Sequence, residues 1–293
     1  MATQPQTCWQ GATCSGPAQA AFSGKWDQYI FSPTSRTVSP ASVLSADDSF
    51  ISNYKPGAST LDSVGAELIF DFGQEVAGVV TVTYSAVGNG TLGLAFSEAK
   101  NFTGTNSDSS NGNFHTDGAL YANVTTTQES SYTMPIDRLR GGFRYLTLFV
   151  DDVVTDPSTF TILIKDITLD IAYQPTWGNL QAYQGYFYSS DDLLNKIWYS
   201  GAFTLQTNAI PADTGRELLG SGWENDVDLD LDSTYPTIYV DGSKRDRTVW
   251  AGDLGIAVPS ILLSTGDIGG AMNTIQVLYN DQVGIPLVIL ERH

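Results

Sequence analysis

The spacing of apolar residues changes near residue 175, and this limits the chain to a β part followed by an α part. Upstream, apolar residues alternate or gather in short β-branched runs. Leu68-Ile69-Phe70 and Val79-Val80-Thr81-Val82-Thr83-Tyr84 flank Gly73 and Gly78, and Gly88-Asn89-Gly90 reads as a turn into Thr91–Phe96. Phe143–Val150 and Phe160–Tyr173 follow, and in the second Ile167, Leu169 and Ile171 alternate with Thr168 and Asp170. Strict alternation puts the apolar set on one face of a half-buried strand. Short strands joined by Gly, Asn and Ser turns, with no helical period between them, predict an antiparallel β-sandwich over residues 27–175. Residues 1–26 read as an N-terminal tail, and Asn101–Thr127 as a long polar loop or edge region.

Downstream, Ser189-Ser190-Asp191-Asp192 offers N-cap candidates and first-turn acids. Leu194, Ile197, Gly201 and Leu205 then recur at helical spacing. A second helix is expected near Asp253, with Pro259 inside it as a kink or break. A third is expected near Asp267, where Ile268, Met272, Ile275 and Tyr279 step by four, three and four. Helices in succession without strands predict an all-α domain over residues 176–293, closed by the apolar run Ile285–Leu290. About three helices cannot enclose a substantial core alone, so this domain reads as the start of a larger one.

Charge excludes several classes of function. The chain carries 14 Lys plus Arg against 32 Asp plus Glu, a net charge of −18. Phosphate neutralisation needs clustered cations, so a nucleic-acid binder is excluded, and anionic membranes are disfavoured. No apolar run approaches the roughly 20 residues that span a bilayer. An uncharged substrate fits best. Cys8 and Cys14 fit either a local disulfide in a secreted protein or two thiols in a mobile tail. The sequons at Asn89, Asn101 and Asn123 cluster in one polar stretch and point to secretion. Met1-Ala-Thr-Gln-Pro-Gln has neither the positive start nor the apolar core of a signal peptide.

One passage departs from the acidic background. Asp241-Gly-Ser-Lys-Arg-Asp-Arg-Thr-Val-Trp-Ala-Gly-Asp253 gathers Asp241, Asp246 and Asp253 with Lys244, Arg245, Arg247 and Trp250. Crowded carboxylates push at least one pKa upward, while neighbouring cations pull others down. An enzyme uses that split to hold one acid protonated near neutral pH. Trp250 offers a flat apolar face on which a sugar ring can stack. The alternative is a solvated, salt-bridged loop leading into a helix.

This passage resembles the active-site signature of α-L-rhamnosidases, glycoside hydrolase family 78, in its fungal form. Tyr173-Gln-Pro-Thr-Trp177, Gly185-Tyr-Phe-Tyr-Ser189 and Asp192-Leu-Leu-Asn-Lys-Ile-Trp198 resemble the entry to that family's helical domain. Phe31-Ser-Pro-Thr-Ser-Arg36 and Phe70-Asp-Phe-Gly73 resemble its preceding β-domain, so the likeness covers roughly residues 27–290. The resemblance implies β-sandwich modules ahead of a barrel of six helical hairpins. This chain would then hold a β-sandwich and the first helices of an incomplete six-hairpin (α/α) barrel. It implies inverting hydrolysis of terminal α-L-rhamnose, with a rhamnosylated glycoside as partner and neither cofactor nor metal. By position, Asp246 is the implied general acid, Asp241 binds sugar hydroxyls, and Asp253 supports the same pocket. Arg245 orients carboxylates and Trp250 forms pocket wall. Many relatives carry Glu as the acid in a slightly longer signature; here it is Asp.

An inverting mechanism needs a second carboxylate to activate water, about 6.5–9.5 Å from the first. In the family this is a Glu later in the barrel, and Glu217, Glu224 and Glu291 match no base motif. The chain therefore reads as a truncated form lacking its base, a loss that commonly costs about 10²–10⁴-fold in rate. The competing reading is a non-catalytic carbohydrate- or partner-binding β-sandwich module with a vestigial helical tail. Glu224–Asp232 resembles a calcium loop, but Leu231 and Thr237 stand where an EF-hand needs Gly and Glu. His115 and His293 are too few for a histidine metal site or a Ser-His-Asp triad.

Overall fold

Alternation in the first half becomes ten strands: β1 Thr37–Val38, β2 Ser42–Ser45, β3 Phe50–Asn53, β4 Ser59–Leu61, β5 Glu67–Val87, β6 Gly90–Ser97, β7 Leu120–Val124, β8 Thr127–Thr133, β9 Arg140–Val153 and β10 Thr161–Ile171. The structure is a computed structural model and describes residues 7–110, 115–216, 223–229 and 236–284, with side chains to residue 280. All these strands join one antiparallel sheet, whose main path runs β1-β10-β5-β9-β6-β7. The central strand β5 is 21 residues long. Its first half pairs with β2 and β9, and its second with β10 and β8.

The strand changes partners where its glycines lie. Gly73 has φ of 80°, a left-handed conformation open to glycine at little cost. A Cβ at Gly78 would overlap the carbonyl oxygen of Asp170 on β10. Register between β5 and β9 breaks from Asp71 to Val76 and again from Val76 to Gly78. The two halves share one apolar core, in which Phe70, Val80, Leu92, Leu146, Ile164 and Leu169 meet. Each such burial contributes roughly 1.5–3 kcal/mol.

The stretch expected as a polar loop does more than connect. It ends in β7, which pairs with β6, and before that Asp108 and Asp117 reach into the protein. Both bind the buried Arg140 guanidinium, Asp108 at 2.7 Å and Asp117 at 2.6 Å. Arg140 also stacks over the Trp223 ring at 4.6 Å. Sequence spacing held no sign of this, because the partners lie 23 and 32 positions from Arg140. His115 is exposed, as are Asn89, Asn101 and Asn123 of the three sequons.

The N-terminal residues that read as a tail pack against the junction between the two parts. A Cys8–Cys14 disulfide resolves the open question about these thiols. Trp9 enters the sheet core, its N–H donating to Pro175 O, and Ser15 and Gly16 N–H groups donate to Thr176 O. Arg36 is buried and donates to the carbonyls of Ile171, Tyr173, Gln174 and Trp177.

Among the described residues three α-helices follow: α1 Asp192–Thr207, α2 Ala251–Leu263 and α3 Ile268–Gly284. Of the N-cap candidates at 189–192, Asp191 is the cap, its carboxylate accepting from Leu193 N at 2.9 Å and Leu194 N at 3.4 Å. Pro259 sits inside α2 without ending it. The region is not all helix, because β11 Ala209–Ile210 and β12 Ile238–Tyr239 form a small antiparallel ribbon after α1. A second core gathers Ala209, Tyr239, Leu254, Ile261 and Ala271. Large apolar side chains remain exposed on the helices, including Leu193, Ile256, Leu263 and Met272. Ile285–Leu290, Glu217, Glu291, His293 and the end of Glu224–Asp232 lie outside the described residues.

Candidate functional site

The passage from Asp241 to Asp253 forms a closed loop running from the ribbon into α2. Asp241 N–H donates to Thr248 O at 3.1 Å, and Thr248 N–H donates back to Asp241 Oδ1 at 3.2 Å. Between these contacts the chain turns sharply, and Asp246 and Arg247 both take left-handed backbone, with φ of 59° and 51°. Such a conformation costs an L-residue about 1–2 kcal/mol, so something must hold it.

Arg247 supplies the hold. Its side chain is only 1% exposed. Nη1 donates to Ser243 O at 2.7 Å, and Nη2 donates to Thr214 O at 2.8 Å and Thr214 Oγ1 at 3.2 Å. The backbone joins in, with Arg216 N–H donating to Arg247 O at 3.1 Å. Burial and the neighbouring Arg216 and Arg140 guanidiniums lower the Arg247 pKa, while Asp241 opposes the shift.

The other side of the loop is seated on the sheet. Lys244 Nζ binds Glu98 Oε2 at 2.8 Å and Asp108 Oδ2 at 3.0 Å. Ser243 Oγ donates to Glu75 Oε1 at 2.6 Å. Approach this close depends on the tandem glycines of β9. A Cβ at Gly141 would overlap Ser243 O, and one at Gly142 would overlap Glu75 Oε1 and Ser243 Oγ.

Asp241 occupies the border between two concavities. One is a largely apolar groove of about 600 Å³ between α1 and α2, bordered by Trp198, Leu205, Ile256 and Leu263 together with Asp241 and Asp253. The other is a polar cleft of about 430 Å³ between sheet and loop, bordered by Glu75, Glu98, Asn208, Asp241, Lys244 and Arg245. Burial raises the Asp241 pKa to about 6; the Thr248 N–H opposes this, while the Asp246 and Asp253 charges add to it. Two neighbouring carboxylates thus add to the effect of burial on Asp241. Such a group switches between donating and accepting a proton over mildly acidic pH.

The predicted residues separate by environment. Asp241 and Asp253 share the groove, and Asp241 and Arg245 share the cleft. Arg245 is largely exposed, its Nε standing 3.6 Å from Asp246 Oδ1. Trp250 precedes the first residue of α2, 39% exposed, and borders neither concavity. The basic cluster divides in function: Lys244 and Arg247 fix the loop, and Arg245 faces outward. Sequence reading missed Glu75, Glu98, Asp108, Asn208 and Thr214. Only the adjacent Gly141 and Gly142 hinted at a close approach on the sheet side.

No family model matches the chain, and no curated protein matches it. Among solved structures, a rhamnosidase from Klebsiella oxytoca with rhamnose bound is similar in fold, with a TM-score of 0.54 at 17% identity. The similarity covers 87% of this chain and 45% of that one. A GH78 family rhamnosidase of Bacillus sp. GL1 gives a TM-score of 0.49 at 19% identity, over 74% of this chain and 18% of that one. The chain therefore spans less than half the length of either structure.

Proposed function

We propose that this chain is an α-L-rhamnosidase-like glycoside hydrolase whose sugar-binding and proton-donating residues lie on the loop from Asp241 to Asp253. The observation that carries this reading is the tandem left-handed backbone at Asp246 and Arg247, held by a buried guanidinium. Strained backbone maintained by its surroundings clusters at reactive sites. The fold shared with the Klebsiella oxytoca rhamnosidase supports the same reading.

In the proposed reaction Asp246 protonates the glycosidic oxygen as the bond to the anomeric carbon breaks. Water attacks from the opposite face, inverting the configuration. Asp241 holds sugar hydroxyls, and Asp253 reinforces the negative field that keeps Asp241 ready to share a proton. Arg245, beside Asp246, orients that carboxylate. Activating the water requires a second carboxylate about 6.5–9.5 Å from Asp246. Glu224 is engaged by Arg138 in an ion pair, which argues against it as that base. A neutral glycoside fits a protein of net charge −18, and exposed sequons with a disulfide fit a secreted one.

The test is release of rhamnose from an alkyl α-L-rhamnoside, whose departing oxygen needs the proton, by the wild-type chain and by Asp246→Asn. The reading expects release by wild type and a loss of about 10²–10⁴-fold in the variant. Equal rates in both, or no release by either, overturn it.

A further inference from the structure

We propose that Glu75, on the central sheet strand, is a sugar-binding residue of this site and takes a hydroxyl of the pyranose held by Asp241. The inference rests on the rhamnoside reading above and extends the site from the loop onto the sheet.

Glu75 lies at the register break between β5 and β9, where the strand leaves regular pairing. Irregular strand positions of this kind re-aim a side chain and recur beside active sites. Gly142 of β9 lies against the Glu75 carboxyl group, and a Cβ there would displace Glu75 Oε1. The carboxyl group therefore stands in the cleft that Asp241 also borders. Oε1 is committed to Ser243 Oγ at 2.6 Å, which fixes its direction. Oε2 accepts no hydrogen bond among the described residues.

The remainder of the cleft suits a neutral polyol. Asn208 borders it at the end of α1, and its buried Oδ1 lacks a partner among the described residues. Lys244 is already matched by two carboxylates, Glu98 and Asp108, so its charge is not open to an anion in the cleft. An ion-paired wall with free acceptors on Glu75 and Asn208 matches hydroxyl donors. A buried acceptor left without a donor is costly, and a sugar hydroxyl would supply one.

Glu75→Gln tests the assignment without unseating the loop, because the amide oxygen can still accept from Ser243. Titration calorimetry would compare methyl α-L-rhamnopyranoside with its 2-, 3- and 4-deoxy analogues on the wild-type chain, Glu75→Gln and Asp241→Asn. The inference expects Glu75→Gln to bind the parent roughly five- to tenfold more weakly, the difference between a charged and a neutral acceptor. It also expects one deoxy analogue to bind wild type and Glu75→Gln equally, because the missing hydroxyl and the missing charge form one contact. A purely structural Glu75 would weaken every analogue by the same factor, and that overturns the inference. Parent binding unchanged in Glu75→Gln but lost in Asp241→Asn also overturns it, leaving the rhamnoside reading intact. No binding of the parent by wild type overturns both.

Discussion

Lys244 on the loop and Asp108 on the long β6–β7 connection form an ion pair at 3.0 Å, joining positions 136 residues apart. The loop that carries the candidate acid is thus held by the sheet as well as by Arg247. Replacing Lys244 with Met leaves Glu98 without its cation and Asp108 with Arg140 alone. Breaking a fully buried pair costs about 3–5 kcal/mol, and the part-exposed Glu98 reduces this to about 2 kcal/mol. A urea unfolding midpoint that does not move would contradict the seating role.

Gly141 and Gly142 should differ in tolerance although they are adjacent. A methyl group at Gly141 meets loop backbone, at Ser243 O and Lys244 Cα, whereas one at Gly142 meets side-chain atoms of Glu75 and Ser243. Overpacking costs typically 1–3 kcal/mol, so about 3 kcal/mol is expected for Gly141→Ala and about 1 kcal/mol for Gly142→Ala. Thermal unfolding of the two variants gives the order directly.

Asp241 sets a pH dependence whose sign follows from its raised pKa. The folded state holds the proton to about pH 6, against an unfolded value of 3.8. Its stabilising contribution is complete below the unfolded value and disappears as pH rises through the folded one. Asp241→Asn should therefore flatten stability against pH between about 4 and 6. Parallel curves for wild type and variant would show that the carboxyl group does not titrate this way.

Leaving-group chemistry separates the roles of the two aspartates. An acid that protonates the departing oxygen matters little when that oxygen leaves readily as an anion. Asp246→Asn should keep more of its activity on a dinitrophenyl rhamnoside than on an alkyl rhamnoside, by at least about tenfold. Asp241→Asn should lose activity on both alike. The reverse pattern would assign the proton transfer to Asp241.

The Cys8–Cys14 bridge closes a short loop beside the buried Trp9. Chain-entropy reasoning gives about 2 kcal/mol for a loop of this size. Cys14→Ser should lower stability by about that amount, read by chemical unfolding with and without reductant. A wild-type protein indifferent to reductant would contradict it.

What could be read from the sequence divides along a physical line. Periodicity is local, so Ile167, Leu169 and Ile171 announced a strand, and Asp191 announced the start of α1. The loop was visible because charge of both signs crowds into thirteen consecutive positions of an acidic chain. Its supports were not visible, because Glu75, Asp108 and Thr214 are ordinary polar residues until the fold brings them to Ser243, Lys244 and Arg247. Gln174 is likewise silent in sequence, yet it donates to Asp267 at 2.6 Å and ties the junction to the start of α3. The β11–β12 ribbon was missed because two residues are too few to show alternation.

Arg36 carries a consequence for how such a chain can be divided. Its guanidinium is shared among four carbonyl groups on both sides of the change in periodicity, from Ile171 to Trp177. A cut at residue 175 would take the Trp177 carbonyl from that cation, and would also leave Asp108 and Glu98 without Lys244. The point where hydropathy changes is therefore a seam under tension rather than a place of natural cleavage. Swapping either half for that of a relative should succeed only when these contacts travel with it.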